Sequence, residues 1–563
     1  MKPFMRSSNQ TYKNTIAISI ACSILLVLPG CAIPKLNPAK AGPSLPEDFR
    51  GVTSAENSAD LSPMEFFSDP RLTSLFDQAM NGNQQLRILT EDIRIANNEV
   101  LRRRGAYLPF VTIGTNSSLT KYSGYTLTGA DNNQDFLPGG GSFPNPYPDF
   151  MGAADVSWQI DIWRQLRNSR DSAGLRFLST RDGWNYVLTR LIAEIAENYY
   201  QLMGLDKQLE TLDRTITLQE QSLEIAKARK AAARDTELAV QRFQAEVRKN
   251  QSQKLIIRQE IIEAENRINF LCGRYPQPVE RESAGFIDLE LHSLSVGVPS
   301  QLLGNRPDVR QAERELAAAG LDVKVARANF YPKLIITAGV GFEAFDPKYL
   351  FYTPESLIYS VAGGFVAPLV NKKAIQADYL NANARQLQCL YDYQRTLLNA
   401  FTEVVNRVNK VQNYSRSIEI KKQQLESLET AVSVASNLFQ NARLEYIDVL
   451  LAQRDRNDAR LVLIDTKREQ LSAIVNAYQA LGGGQFRFPD PPLAAIGRRP
   501  PTRPWPVWGM RSPVEPLPVV GSPFMYGPPP TIDGPPAAET PPAAEALPNQ
   551  PNKGEPLPMP KPN

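Results

Sequence analysis

The stretch from Val370 to Phe488, which begins VNKKAIQADYLNANARQLQCLYDYQRTLLNAFTEVVNRV, contains no proline and no glycine before Gly482. An earlier stretch, Met151 to Tyr275, also lacks proline, although the chain holds 45 prolines and 33 glycines. Proline costs about 3 kcal/mol and glycine about 1 kcal/mol inside a helix, so both stretches are predicted to be helical. A helix of about 65 residues already reaches on the order of 100 Å, and each stretch is too long to form a single helical rod. Each stretch is therefore predicted to fold back once, at a short polar turn.

The composition argues against several classes of function. The chain has 563 residues, 42% hydrophobic and 21% charged, and a net charge of only +3. So small a charge makes nucleic acid an improbable partner. His292 is the only histidine, and four cysteines are too few for a disulfide scaffold. Because no acidic residue lies in a recognisable catalytic motif, the sequence predicts no enzyme, no cofactor and no metal site.

The N-terminus has the pattern of an export signal. Three basic residues precede an apolar core from Ile16 to Leu28, which is short for a membrane span. The following Leu28-Pro29-Gly30-Cys31 resembles a bacterial lipobox. We therefore predict a signal peptide at residues 1–30 and a lipid anchor on Cys31; the alternative is a plain signal peptide with an incidental cysteine. Residues 31–63, which are rich in Pro, Ala, Ser and Gly, are predicted to form an extended tether.

The first half of the chain changes its period twice. From Asp69 to Tyr107 apolar residues recur at helical spacing, and Pro109 ends this pattern. From Val111 the period is two, which predicts a strand. A polar loop from about Tyr122 to Asp149 separates it from a second predicted strand at residues 155–162. The first proline-free helical stretch then follows directly.

The second half repeats this order. At a constant offset, Gln84-Gln85-Leu86-Arg87 falls on Pro307-Asp308-Val309-Arg310, and Tyr107-Leu108-Pro109 falls on Phe330-Tyr331-Pro332. Two more alternating strands follow, one beginning at Leu334 and one from about Leu357 to Ala367. The chain is thus predicted to be an internal duplicate. Each half reads helix, strand, loop, strand, long helix, turn, long helix.

The strands have the length and pattern of membrane strands. Each has about ten residues with one apolar face, and a tilted strand needs roughly 9 to 11 residues to cross a bilayer. Alternation by itself also fits a soluble sandwich. In lipid, however, four strands leave open edges, and a barrel needs at least about eight strands. The predicted fold class is therefore mainly α with membrane β, with several chains sharing one barrel; three chains would supply twelve strands.

Two segments carry a family resemblance. Gly297 to Arg310, GVPSQLLGNRPDVR, and Val325 to Pro332, VARANFYP, closely resemble the central signature of the TolC-type outer-membrane efflux family, lipoprotein branch. Shorter matches extend the resemblance over about residues 60–485, through both repeats. It implies a homotrimer with a twelve-stranded barrel in the outer membrane and a tunnel of long periplasmic helices. It also implies that cargo arrives from an inner-membrane pump through a periplasmic adaptor.

The resemblance and the composition together divide the chain. We expect the first repeat at residues 64–272, an equatorial linker at 273–301, the second repeat at 302–485 and a disordered proline-rich tail at 486–563. Two other functions predict different sequence patterns. A lipid-anchored periplasmic adaptor would have a single helical hairpin between small β domains, and a coiled-coil scaffold would have sustained heptads and no membrane strands.

The helical turns are the candidate functional sites. The resemblance implies a periplasmic gate near the second turn, formed by Phe439, Arg443, Leu444, Asp448 and Leu451. Leu451 stands where the family pattern has aspartate, so a leucine ring is expected to replace part of a carboxylate ring. The first turn is basic, and its Arg229, Lys230, Arg234 and Asp235 are predicted to dock the adaptor, together with Arg443. The alternative is that Asp448 and the charged turns are simply solvated.

Overall fold

The computed structural model describes residues 33–134, 136, 140–233, 236–367, 372–441 and 443–484. The predicted signal peptide, the predicted anchor Cys31 and the predicted tail lie outside these ranges, as do Arg234 and Asp235 of the first turn. Within the described ranges the fold is mainly helical with one four-stranded sheet, which confirms the predicted fold class.

The helices and strands follow the predicted order in both halves. The first half consists of α1 Pro63–Phe67, α2 Pro70–Gly82, α3 Gln84–Gly105, β1 Phe110–Thr120, α4 Leu127–Gln134, β2 Tyr147–Ile160, α5 Gln165–Ala231 and α6 Glu237–Leu271. The second half consists of α7 Leu302–Asn305, α8 Pro307–Ala328, β3 Lys333–Ala344, β4 Leu357–Val366, α9 Lys373–Gln440 and α10 Tyr446–Ala480. Single 3-10 turns lie at Ser58–Asp60, Phe286–Asp288, Pro299–Gln301 and Pro347–Tyr349.

The lengths of these elements reveal the duplication. Helices α3 and α8 each have 22 residues, and α6 and α10 each have 35. The long helices α5 and α9 have 67 and 68 residues, which corresponds to about 100 Å each. In each half, one long helix is therefore accompanied by two shorter helices that pack along successive parts of it.

The sheet separates an apolar face from a polar face. Its order is β1-β2-β3-β4, and every neighbouring pair is antiparallel. One row across the sheet reads Val111, Val156, Ala338, Val361, and the adjacent row reads Thr112, Asp155, Gly339, Ser360. Because side chains alternate along a strand, these rows lie on opposite faces. Both outer strands leave one edge without a partner in the described chain.

The helix predicted from Asp69 to Tyr107 is two helices. Asn83 ends α2 and caps α3, since its Oδ1 accepts a hydrogen bond from the Leu86 N–H at 3.0 Å. Its Nδ2 also donates to the Leu271 carbonyl at 2.8 Å. Gly82 lies so close to the end of α6 that a Cβ there would stand 2.2 Å from the Cys272 carbonyl oxygen. Apolar periodicity could not show this break, because it continues on both sides of the cap.

The boundaries of the second strand were also predicted wrongly. Strand β2 begins at Tyr147, inside the predicted loop, and that loop also contains α4. The strand ends at Ile160, because the side chain of the next residue, Asp161, binds the first turn of α5 instead of continuing the strand pattern. Its carboxylate accepts hydrogen bonds from the N–H groups of Leu166 and Arg167, each at 3.0 Å. Asp161 is consequently buried, although the alternation assigned it to a solvated strand face.

The two halves of the chain pack against each other through their long helices. Along the part nearer the sheet, the lateral order is α3, α5, α8, α9, and along the far part it is α6, α5, α10, α9. The largest apolar core lies where α3 gives way to α6, and includes Leu72, Ile195, Tyr199 and Phe286. In the described chain, α3 and α6 therefore form one lateral edge and α9 forms the other.

The N-terminal segment, residues 33–49, is extended as predicted, but it contacts the protein at both of its ends. We call it the strap. It begins against Tyr379 in α9, near the sheet, and continues past Asn383, whose Oδ1 accepts a hydrogen bond from the Asn37 N–H. It ends at Phe49, which is buried and stacks on Phe401 with ring centroids 5.6 Å apart. The strap therefore follows α9 from the sheet towards the middle of the helices.

Candidate functional site

The two helical turns meet in one apolar cluster, which we call the tip cluster. It contains Leu223, Ala226, Val240 and Phe243 from the first hairpin and Ala435, Tyr446, Val449 and Leu450 from the second. Phe243 stacks on Tyr446 with ring centroids 4.8 Å apart, and Phe439 lies 4.6 Å from Tyr446. The predicted gate and the predicted docking tips are therefore parts of the same structural unit.

Arg229 joins the first turn to the second hairpin. Its guanidinium carbon lies 4.7 Å from the centre of the Phe439 ring, within the range of a cation–π contact. One predicted docking residue thus touches one predicted gate residue. This contact crosses more than 200 residues of sequence, and no local pattern could have indicated it.

Lys230 closes the first turn upon itself. Its ammonium pairs with the Glu237 carboxylate at the start of α6. A hydrogen bond from Gln241 and the Lys230 ammonium together lower the pKa of Glu237 below 4.5. The Thr236 hydroxyl caps the same helix by accepting from the Ala239 N–H at 3.4 Å. The Lys230 charge, which we predicted to dock the adaptor, is therefore already paired with Glu237 within the first turn.

The five predicted gate residues divide into two groups. Phe439 and Leu444 pack against the tip cluster. Arg443 is exposed, Asp448 is half-buried in the first turn of α10, and Leu451 is 40% exposed. The latter three side chains are the ones that the described chain leaves available to face a pore or another copy.

The described residues contain no group of three or more His, Cys, Asp or Glu side chains that could hold a metal ion. Among the helices of the described ranges, none combines the length and the apolar character needed to cross a membrane.

Known proteins with the same arrangement identify the family. The family profile described as Outer membrane efflux protein matches residues 75–274 and 298–483, which is well over half of the chain. The chain belongs to this family. It is therefore an outer-membrane efflux channel, and the adaptor and scaffold alternatives are wrong.

Individual relatives match almost over their whole length. The pyoverdine export outer membrane protein OpmQ of Pseudomonas putida is 28% identical over 82% of this chain and 96% of its own. The cation efflux system protein CusC of Escherichia coli K12 is 25% identical over 82% of this chain and 98% of its own. The open-state MtrE outer membrane channel of Neisseria gonorrhoeae superposes with a TM-score of 0.70 at 21% identity, covering 80% of this chain and 98% of MtrE. The fold is therefore that of an outer-membrane efflux channel.

A polar seam on α5 lies between the tip cluster of this efflux channel and its largest apolar core, which contains Leu72, Ile195, Tyr199 and Phe286 and which we call the equatorial core. Thr211, Thr215, Gln219 and Ser222 lie one turn apart on α5, and all four are buried. Gln219 accepts a hydrogen bond from Asn250 at 2.8 Å, and Asn457 of α10 faces the same small void of about 10 Å³. The tip cluster and the equatorial core are therefore separate apolar clusters, and we expect the tip cluster to open independently of that core.

Sequence reasoning missed Phe243 and Tyr446, which are central to the tip cluster. Phe243 lies seven residues beyond Thr236, which caps α6, and Tyr446 is the first residue of α10. A signal was present, because each turn is followed within two helical turns by an aromatic residue. Only the packing of one hairpin on the other shows that these two rings meet.

Proposed function

We propose that three copies of this chain close one twelve-stranded barrel in the outer membrane above a tunnel of periplasmic helices. The channel would then receive cargo from an inner-membrane pump through a periplasmic adaptor. The observation that carries the proposal is a four-stranded sheet with two open edges, joined directly to helices about 100 Å long. We retain residues 64–272 and 302–485 as the two repeats of this channel.

The sheet supports closure with other copies. An open sheet edge in hydrocarbon leaves backbone groups unsatisfied, and each such group costs several kcal/mol. Since β1 and β4 run in opposite directions, β4 of one copy can pair antiparallel with β1 of the next. The apolar face is also uncovered: Ile113 of β1 is 84% exposed and Val361 of β4 is 80% exposed. Lipid would cover these side chains, while the polar face with Asp155 and Ser360 would line the pore.

The helices support the same closure. The edge formed by α6 exposes Leu255 and Ile262, and the opposite edge formed by α9 exposes Leu398 and Ile420. Exposed apolar rows on both lateral edges are what a ring of identical copies would bury, since each copy places its α9 against α3 and α6 of the next. Such an interface joins two different surfaces and is therefore heterologous. It forms a closed ring when the rotation from each copy to the next brings the last copy back to the first.

Neighbouring residues of β4 provide a matched test of the barrel. Val361→Arg places a charge on the proposed lipid face near the middle of the strand, where arginine costs about 2–4 kcal/mol per copy. Ser360→Arg places the same charge on the proposed pore face. We expect Val361→Arg to reduce insertion and planar-bilayer conductance, and Ser360→Arg to insert normally with an altered conductance. Equal insertion of the two variants would count against the barrel.

The strap supports a lipid anchor on Cys31. Its first described residue, Ile33, packs beside Phe330 and Tyr379, directly next to the strands. Only Ala32 lies between Ile33 and the cysteine, so the cysteine would lie within about 7 Å of Ile33 and close to the proposed membrane surface. Cys31→Ser should abolish incorporation of labelled palmitate. Undiminished label in this variant would dismiss the anchor.

We also propose that Arg443, Asp448 and Leu451 form the periplasmic constriction. Three copies of Leu451 would make a dry ring, and each Asp448 would add a carboxylate one helical turn away. Leu451→Asp should hydrate the ring and raise the closed-state leak in single-channel recordings, and Asp448→Ala should change it as well. An unchanged leak in both variants would remove these residues from the gate.

Adaptor docking is proposed at the first turn, through Arg229, Lys230, Arg234 and Asp235, and at Arg443. Reversing the charges of Arg229, Lys230 and Arg234 together should abolish co-purification of the adaptor. The matched control reverses Arg214, Lys249 and Arg454, three exposed basic residues on α5, α6 and α10 that lie more than two helical turns from either tip. Binding that survives the first triple change, or fails equally in the second, would reject docking at this turn.

A further inference from the structure

A large groove opens on the lateral edge formed by α3 and α6. It has a volume of about 900 Å³ and lies where α3 begins, where α6 ends and where α5 passes behind both. Its walls combine apolar and basic side chains: Ile88, Arg190, Arg267, Phe270, Arg274 and Tyr275. Phe270 and Tyr275 are mostly exposed, so the groove is an open surface within the described chain.

One of the basic residues in the groove is unpaired. Arg267 binds Glu194 and lies 5.5 Å from the Phe270 ring centre, and Arg274 donates to Asn269 at 2.7 Å. Arg190 is exposed and has no hydrogen bond or ion pair with any residue that the structure describes. The groove therefore presents an excess of positive charge beside an apolar surface.

On the opposite edge, the strap bows away from α9. Gly42 packs tightly on Gln394, since a Cβ there would be 3.0 Å from that side chain, and Phe49 stacks on Phe401. The helix rises only about 10 Å between these two contacts. The chain takes seven residue steps from 42 to 49, which could span more than 20 Å when extended. Residues 43–48, which we call the strap bulge, are accordingly exposed apart from the half-buried Leu45.

The strap bulge carries the complementary groups. Glu47 is exposed and makes no hydrogen bond or ion pair with the described residues. Asp48 beside it accepts a hydrogen bond from the Gly51 N–H at 2.9 Å, which holds the turn. Leu45 provides an apolar side chain two positions before Glu47.

The groove and the strap bulge lie at the same height along the long helices. The duplicated helices α5 and α9 each follow directly on a strand of the same sheet and have nearly equal lengths. Arg190 is as far along α5 as Leu398 is along α9, and Leu398 lies between Gln394 and Phe401. In a ring with its axis along the helices, two edges can meet only at equal heights.

We propose that the strap bulge of one copy fills the groove of the next copy, with Glu47 paired to Arg190 and Leu45 against Ile88 and Phe270. The proposal rests on the three-copy ring proposed above and adds its equatorial contact. The strap then has two roles: it follows α9 of its own chain, and it holds the neighbouring chain. Assembly of the ring is thereby linked to correct placement of the N-terminal segment.

A charge swap tests this contact. Glu47→Arg and Arg190→Glu each place like charges together at all three interfaces, and we expect each to speed trimer dissociation in detergent by about tenfold. The double variant restores the pair and should return to within about twofold of the wild-type rate. Arg214→Glu, an exposed change on α5, which lies between α6 and α10 and not on a lateral edge, serves as the control and should leave the rate unchanged.

A cysteine pair provides a second measurement that does not depend on stability. Glu47→Cys and Arg190→Cys, in a background with Cys272 and Cys389 changed to serine, should give covalent trimers with a short bismaleimide. Single-cysteine variants should give none. Native mass measured on the same samples separates the two proposals. A wild-type trimer with additive swap effects and no cross-link overturns the groove contact alone, whereas a wild-type monomer overturns the ring as well.

Discussion

Phe243 offers the sharpest test of the tip cluster. Its side chain is 1% exposed and stacks on Tyr446, so Phe243→Ala removes a fully buried ring from the contact between the two hairpins. Such truncations cost about 3–5 kcal/mol. Since the polar seam at Gln219 isolates the tip from the equatorial core, most of this cost should appear as local opening of the tip. At 1.4 kcal/mol per factor of ten, the opening constant should rise by roughly 10²- to 10³-fold.

Amide hydrogen exchange on the detergent-solubilised protein measures this opening directly. Residues 223–231 and 446–452 should exchange faster in Phe243→Ala by the same factor, while residues 188–205 keep their protection. Phe243→Leu retains most of the apolar volume and should cost less than about 1.5 kcal/mol. Phe286→Ala, an equally buried change in the equatorial core, should accelerate exchange there and leave the tip unchanged. Unaltered tip exchange in Phe243→Ala would refute the assignment of the tip cluster as the joint between the hairpins.

Three further predictions concern other parts of the chain. Gly482→Ala should lower the free energy of unfolding by about 2 kcal/mol or more. Residue 482 has φ +94°, and a Cβ there would stand 2.4 Å from the Asn305 carbonyl oxygen. An unchanged midpoint of thermal unfolding would contradict this prediction. Arg306→Leu should lower the free energy of unfolding in denaturant by about 3–5 kcal/mol, because the buried guanidinium bridges two carboxylates and the backbone at the end of α10. A loss of free energy below about 1 kcal/mol would show that this bridge is dispensable. The pKa of Glu237 is lowered, so its ionised carboxylate stabilises the first turn above about pH 4.5, and this contribution is lost as the pH falls through the lowered pKa. The ratio of turn exchange rates between Glu237→Gln and wild type should therefore exceed one at pH 7 and approach one at acidic pH, and a ratio independent of pH would exclude the pair with Lys230.

The helical part of the fold could be predicted from the sequence because its determinants are local. The absence of proline from Val370 to Phe488 requires no tertiary knowledge, and α9 and α10 lie within that stretch. The sheet was also predictable, since each strand shows its own alternation. The predicted boundaries were wrong where single side chains set them. The side chains of Asn83 and Asp161 each accept a hydrogen bond from the first turn of a helix, and this ends the preceding element although the apolar pattern continues.

The contact between the two helical turns could not be predicted from the sequence. Motif position assigned the gate to the second turn and the docking residues to the first, as two separate sites. Helical periodicity cannot say which face of a turn packs on a distant hairpin, so the tip cluster that joins the two turns could not be predicted from the sequence. Phe439 and Leu444 were assigned to the gate, and both pack against the tip cluster. The strap shows the same limit, because a segment rich in proline and alanine carries no periodicity from which its contact with α9 could be inferred.

The most direct measurement is the mass of the detergent-solubilised particle, determined for the polypeptide alone by light scattering or native mass spectrometry. If each chain supplies one third of a closed wall, the particle contains three copies of the mature chain, and heating dissociates it to single chains. A particle containing one chain, or one that stays in aqueous solution without detergent after the lipid is removed, would contradict the shared barrel.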